Sequence, residues 1–189
     1  SGGVVGIWRH ANARIRGMKR VQVEPHLSVT GACSARWVPI RPKTDAAFLY
    51  ALIHVLLHES ARDRLDLDFL AARTGSAYLV GPHGYYLRDR TSGKPLVRDL
   101  ASGAVVPHDT PGLREDLDAS VTVDAIEAGA DGEVLAEGPL AGETAFRKLV
   151  AHMAPYTPEW AAGVCDVPAA DIRRIAGEYP DPACVAQTI

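Results

Sequence analysis

The sequence predicts an α/β fold, an open parallel sheet with helices on both faces and a small β-rich insertion. Three observations carry this. Short apolar runs alternate with helical patterns near the N-terminus. An apolar helix of about 12 residues follows the third such run. Helical periodicity then returns near residue 143, after a Gly- and Pro-rich stretch.

Gly3–Ile7 is a Gly-flanked apolar run and reads as a strand. Trp8–Arg16 carries Ala, Ile and Arg at helical spacing and ends at Gly17, a C-cap residue. Val21, Gln22 and Val23 alternate toward Glu24, and Pro25 stops the run, so this is a strand with a fixed tip. Strand, helix, strand is the opening of a Rossmann-like parallel unit, in which ligands sit beyond the carboxyl ends of the strands. Glu24 falls at such an end, where an acid accepts two hydrogen bonds from a ribose diol; the alternative is a solvated loop carboxylate. Thr30–Ser34 are small and suit one turn passing close to a backbone or a ligand. Trp37, Val38 and Ile40 form the next short strand, broken by Pro39 and Pro42. Thr44 is an N-cap candidate for the helix that follows, and Asp45 lies in its first turn, where its charge complements the helix dipole. The functional reading of Asp45 is a carboxylate that accepts from the N1 and N2 donors of a guanine.

The segments VQVEPHLSVTGACS and WVPIRPKTDAAF together resemble the molybdopterin oxidoreductases of the dimethyl sulfoxide reductase family, whose patterns there are V-V-V-D-P-R-x-(S/T)-x-(T/S)-A and W-(L/V)-P-I-(R/K)-P-G-T-D-(A/P)-A. The resemblance implies that these segments hold the guanosine end of a molybdopterin guanine dinucleotide. Glu24 is then the ribose-binding acid and Asp45 the guanine-binding acid, with Pro25, His26 and Pro42 lining the pocket. Glu24 stands where Asp is commoner and reaches one methylene further; Lys43 stands where Gly is commoner. In the family the first strand ends in a loop whose backbone donors face the cofactor's phosphates, and Gly6 is the nearest counterpart. Arg9, His10 and Asn12 follow it; Arg9 reads as a solvated arginine on an exposed helix face. YTPEWAAGVCDVPAADIRRIAGEY resembles the family's Y-T-P-E-W-A-(A/E)-x-(T/C)-G-V-P-A-x-x-I-R-x-(L/I)-A, a helix pair that is structural there. LDFLAARTGSAYLV resembles a family run leading toward the substrate funnel, and no contact is assigned to it.

The intervening stretch changes character. Gly81–Pro107 reads as short strands separated by Ser92-Gly93-Lys94 and Ala101-Ser102-Gly103. From His108 to Gly142 the chain is acidic and rich in Gly, Pro and Ala, with strands expected at Val121–Ile126 and Glu133–Ala136; this is the expected mobile excursion and partner surface. No internal repeat is evident. Thr144 and Thr157 are expected caps, the second with Pro at N1 and Glu159 at N2. Ala183–Ile189 is expected to begin another strand. The expected organisation is one domain, 1–189, with an α/β core at 1–80 and 143–189 and an insertion at 81–142.

Composition excludes several classes. At 189 residues, with 47% hydrophobic and 23% charged, the chain can build its own core. A net charge of −3 and 6% aromatics argue against a nucleic-acid partner. The longest apolar helix, Ala46–Leu57, would span about 18 Å, too short for a bilayer, so no membrane span is expected. Cys33, Cys165 and Cys184 form no C-x-x-C and are expected as buried small hydrophobes, with Cys33 nearest the cofactor. His54 and His58 share a helix face, but no third ligand accompanies them; His54 is expected packed and His58 at the helix C-terminus. No metal ligand and no catalytic side chain are expected in this chain.

The resemblance implies a piece of a longer molybdenum- or tungsten-dependent oxidoreductase, inactive alone. Its partners would be the remaining domains of the same polypeptide and an iron–sulfur electron-transfer subunit, with the cytoplasm or periplasm both open. Two other classes stay in view: an ordinary mononucleotide-binding α/β domain, and a docking module with a vestigial pocket.

Overall fold

The computed structural model describes residues 4–179 and shows a mixed α/β chain. The described residues fall into two compact units. One holds the chain up to Val55 together with the chain from Tyr156; the other is Leu56–Pro155.

The first unit begins with a helix where a strand was expected. Helix α1 runs Val4–Ile15. Ile7, Ala11 and Ile15 lie four apart on one helical face, so the periodicity of residues 8–16 extends back through the apolar run. The expected stop holds: Gly17 takes φ 97° and Met18 N–H donates to Ala13 O at 3.0 Å. Strand β1 (Val21–Val23) then pairs in parallel with β2 (Arg36–Val38), Val21 opposite Arg36 and Val23 opposite Val38. This is the parallel pairing found among the described residues, and it is two strands wide. Between the strands, the small-residue stretch forms a single helical turn, α2 (Val29–Ala32).

Helix α3 (Asp45–His54) packs against α6 (Pro158–Cys165) and α7 (Ala169–Glu178). Their shared core is Val38, Ile40, Phe48, Ala51, Ala161, Cys165, Val167 and Ile172. Thr157 caps α6 as expected, accepting from Trp160 N–H at 3.2 Å, with Pro158 at N1. Glu159 has a further role: both its oxygens meet the Arg173 guanidinium, at 2.5 and 3.0 Å. Cys165 is buried as expected, but Cys33 is exposed, because it follows a one-turn helix too short to be covered. Cys184, the strand expected at 183–189 and residues 1–3 lie outside the described residues.

The second unit is mostly antiparallel. Past His54 the helix widens into a π-helical turn, Val55–Glu59. His58 stands in the last turn as expected, and its Nε2 donates to Val150 O at 2.9 Å, one of the last carbonyls of α5 (Ala145–Met153). Asp66 caps α4 (Leu67–Arg73) by accepting from Phe69 N–H. A four-stranded sheet follows in the order β3 (Leu79–Val80), β8 (Val134–Thr144), β7 (Ser120–Ala128), β4 (Leu87–Arg88). β5 (Leu96–Arg98) and β6 (Val105–Pro107) form a separate pair. Residues 79–80 and 143–144, expected in a parallel core, thus pair with each other in the antiparallel sheet. The stretch expected to be a mobile excursion holds the long β7–β8 hairpin, whose strands outrun the expected 121–126 and 133–136. Leu79, Leu87, Leu96, Ala119 and Ala125 form its core, and Thr144 closes β8 and caps α5.

The chain also carries one internal repeat that the sequence did not reveal. Asp89-x-x-Ser92-Gly93 and Asp99-x-x-Ser102-Gly103 build the same turn twice. In each, the aspartate Oδ2 accepts from the serine N–H and Oγ, and the glycine N–H donates to the aspartate carbonyl at 2.8 Å. The glycines take φ 67° and 71°, the region they favour. Asp99 is held well below the usual carboxylate range by the Ser102 hydroxyl, then by the Arg114 and Ser102 amides.

Glu127 on β7 is fully buried, and among the described residues it is met by no Lys or Arg. It accepts from His83 N–H, Tyr85 N–H and His83 Nδ1, each at 3.0 Å. A Cβ on Gly81 would sit 2.5 Å from this carboxylate and 2.7 Å from Leu87 Cδ2. Both neighbours are buried, so Gly81→Ala is expected to cost about 1–3 kcal/mol in urea denaturation. Gly84→Ala, three residues on with open space around it, should cost only the positive-φ strain, about 1 kcal/mol. Equal losses would show that packing on Glu127 does not set the loop.

Candidate functional site

The candidate site is the carboxyl end of the parallel pair. β1 runs into Glu24, and β2 runs through residues 39–44 to Asp45 at the start of α3. The two expected acids therefore follow adjacent parallel strands. Pro25 and His26 sit exposed in the loop after β1, and Pro42 exposed in the loop after β2. Gly6 is not with them as a strand-end loop residue. It lies in the first turn of α1, exposed, because the run that contains it is helical.

Glu24 is half-buried and heavily engaged. Oε1 accepts from Ser28 N–H at 2.8 Å and from Ser28 Oγ at 2.7 Å; Oε2 lies 2.9 Å from the same hydroxyl and accepts from Gln22 Nε2 at 3.3 Å. The Ser28 amide and hydroxyl hold the carboxyl below its ordinary range, partial burial opposes them, and Gln22 and His26 add smaller lowering effects. Ser28 also caps α2, its Oγ accepting from Gly31 N–H at 3.1 Å. Gly31 passes close beneath this carboxylate: a Cβ there would stand 2.3 Å from Glu24 Oε1 and would displace it. Trp37 Nε1 donates to Glu24 O and Glu24 N–H donates to Val38 O, so the backbone of the acid is fixed from β2.

Asp45 is exposed in the first turn of α3, and no hydrogen bond or ion pair engages its carboxylate among the described residues. Thr44 takes the N-cap position as expected, but its side chain makes no capping bond. Its hydroxyl donates to Arg41 O at 2.6 Å and folds the preceding loop instead. Lys43 adopts φ 67°. Arg41 forks onto Asp166 through Nε and Nη2, at 2.9 and 2.8 Å, and its N–H donates to Cys165 O. Asp166 ends α6 at φ 61°. These two, Lys43 and Asp166, are the non-glycine residues at positive φ among the described residues, and Lys43 stands where the resembled family pattern has Gly. Arg41 and Asp166 had no separate signal in the sequence, because their pairing joins positions 125 apart.

Over 173 residues the chain is 31% identical to a sulfite dehydrogenase subunit from Allochromatium vinosum, covering 86% of this chain and 17% of that protein. It is 27% identical to the chlorate reductase alpha subunit of Ideonella dechloratans, covering 87% of this chain and 18% of that one. A shorter stretch, 68 residues at 38% identity, matches dimethyl sulfoxide reductase DmsA of Haemophilus influenzae. The chain belongs to the molybdopterin oxidoreductase family. No family model matches it. The chain spans less than a fifth of the length of the first of these relatives, 17% and 18%. Among its described residues no helix is long and apolar enough to cross a membrane, and no three His, Cys, Asp or Glu side chains gather as a metal site.

The contacts of Glu24 and the backbone of Lys43 each have a measurable consequence. Because the folded pKa of Glu24 is depressed, its contribution to stability is present above the unfolded value of about 4.3 and is lost as pH falls through the folded value. Ser28→Ala should raise the Glu24 midpoint in a carboxyl 13C NMR titration. The stability gap to the parent should shrink as the pH is lowered, leaving only the lost cap. A Glu24 midpoint unmoved by the substitution would refute the assignment. Lys43→Gly should stabilise the chain by about 1 kcal/mol in thermal or urea unfolding, since it removes left-handed strain at an exposed loop position.

Proposed function

We propose that this chain holds the guanosine end of a molybdopterin guanine dinucleotide within the catalytic subunit of a molybdenum-dependent oxidoreductase. The observation that carries this reading is the pair of acids after adjacent parallel strands, one of them with an uncommitted carboxylate. Asp45 suits the N1–H and N2–H of guanine, a fork of two donors that one carboxylate accepts together. Glu24 suits the ribose. Three hydrogens already reach its two oxygens, from Ser28 N, Ser28 Oγ and Gln22 Nε2, against about four lone-pair sites. It therefore accepts one ribose hydroxyl as it stands, and a second as the 3.3 Å bond from Gln22 is released. Gly31 keeps this carboxylate's underside free of a side chain. The exposed Pro25, His26 and Pro42 would border the nucleotide, and the first turn of α1 around Gly6 would offer backbone donors to phosphate.

In this reading β1 and β2 are part of a Rossmann-like open parallel sheet completed by the remaining domains of the same polypeptide. The bound molybdenum, or tungsten, would supply two-electron chemistry on a small substrate. The residues of this chain bind and orient the far end of its carrier. An iron–sulfur electron-transfer subunit is the proposed partner, in keeping with the subunit designations of the sulfite dehydrogenase and chlorate reductase relatives.

Calorimetric titration of the chain with GMP and AMP tests the assignment. GMP should bind about tenfold more tightly than AMP, because guanine offers the Asp45 carboxylate two donors together and adenine does not. Asp45→Asn should remove that preference while leaving the weaker, shared binding through the ribose. Equal affinities for the two nucleotides, unaltered in Asp45→Asn, would refute the role of Asp45.

A further inference from the structure

The two oxygens of Glu24 are not equivalent. Oε1 is closed: Ser28 N–H and Oγ reach it at 2.8 and 2.7 Å, and α2 passes so near that a Cβ on Gly31 would stand 2.3 Å away. Oε2 carries the looser contacts, Ser28 Oγ at 2.9 Å and Gln22 Nε2 at 3.3 Å. A hydroxyl that donates to this carboxylate therefore arrives at Oε2, beside the Gln22 amide.

The strand itself does not account for Gln22. It stands between Val21 and Val23 in β1, where the resembled family pattern has Val, just as Glu24 stands where that pattern has Asp. Val suits a pleated, half-buried strand, and a glutamine gives up that fit. Alternate residues of a strand share a face, so Gln22 and Glu24 project to the same side, and the 3.3 Å contact shows that they meet. A carboxylate oxygen only accepts, so the amide turns its NH2 toward Glu24. That NH2 has two hydrogens and the amide oxygen two lone pairs, yet among the described residues the Glu24 contact is the one bond the side chain makes. Both departures from the pattern thus meet at the oxygen that is open to a ligand.

We propose that Gln22 is a second hydroxyl-reading residue of this site: a ribose hydroxyl donates to Glu24 Oε2 and accepts from Gln22 Nε2. The hydrogen that Gln22 gives to Glu24 in the empty site passes to the hydroxyl in the complex. Glu24 then reads the hydroxyl as a donor and Gln22 reads it as an acceptor, so the pair selects a ribonucleotide against one without the diol. This deepens the nucleotide reading and rests on it. Asp45 answers for the base, and Gln22 with Glu24 answers for the sugar.

The test is 15N NMR titration of the full chain with GMP, AMP and 2′,3′-dideoxy-GMP. The Gln22 side-chain amide resonances should move saturably with GMP and stay in place with the dideoxy nucleotide. GMP should bind about tenfold more tightly than its dideoxy analogue. Gln22→Val restores the strand residue of the family pattern and so keeps β1. In that variant the preference for GMP over the dideoxy nucleotide should fall to about threefold, while the preference for GMP over AMP is unchanged. A Gln22 amide that GMP does not move, or a diol preference that Gln22→Val leaves intact, would overturn the role of Gln22; with GMP still preferred over AMP, the guanine reading would stand. Equal binding of GMP and AMP with a diol preference that depends on Gln22 would reject the guanine reading and uphold the ribose contact. Absence of saturable shifts with GMP would overturn both.

Discussion

Glu127 keeps no part of its side chain in water, and the loop from Gly81 to Tyr85 has its observed course for that reason. A buried carboxylate must be given hydrogens, and no cationic side chain of β7 or its described neighbours supplies them. The backbone therefore bends so that two amides and one imidazole nitrogen point at it. The bend brings Gly81 so close that no side chain fits there, and it carries the chain into β4, which pairs with β7 beside Glu127 itself. The same requirement shapes other loops. Ser28 serves Glu24, Ser92 serves Asp89 and Ser102 serves Asp99, each with both an amide and a hydroxyl. Serine three or four residues after an acid is the recurring local solution, and it needs no long-range contact to form.

A second constraint acts in the unit with the parallel strands. Its two positive-φ residues, Lys43 and Asp166, flank one interaction. Arg41 ties the loop after β2 to the end of α6 by two side-chain bonds and one backbone bond. With Gly at position 166 there would be no carboxylate for the Arg41 fork, so the strain at Asp166 is offset by a bidentate pair. Lys43 makes no such compensating contact, and its strain is simply borne by an exposed loop. The two left-handed residues therefore differ in kind, although both carry a positive φ.

How much of this was legible in the sequence depended on range. Thr144, Thr157 and Gly17 were legible because a cap is decided within four residues. β5, β6 and the turns between them were legible for the same reason. The shared Asp-x-x-Ser-Gly pattern was not, because two copies are too few to stand out from ordinary turn composition. The apolar run at 3–7 went the other way. A Val-rich run reads as a strand unless its register with the following helix is weighed, and here Ile7 continues the face of Ala11 and Ile15. β3 with β8 was not legible, since residues 79–80 find their partners at 143–144 across the whole hairpin. At the candidate site, the positions of Glu24 and Asp45 were legible from the paired motif, while the occupancy of Glu24 was not.

That occupancy changes what the site can do. An acid at a strand end is usually pictured as free to take both hydroxyls of a ribose. Glu24 instead has about three of its four acceptor sites filled, two by Ser28 and one by Gln22. Its hydrogen bonds preorganise the carboxylate: they hold its pKa below the ordinary value and fix its position. The gain is a rigid acceptor, and the loss is one of its two forks. Asp45, exposed and without a partner among the described residues, has the opposite character, both lone-pair edges open and its position set only by the first turn of α3. In the proposed nucleotide site, discrimination between bases would therefore rest on Asp45, because a largely pre-satisfied Glu24 carboxylate has little spare acceptor capacity.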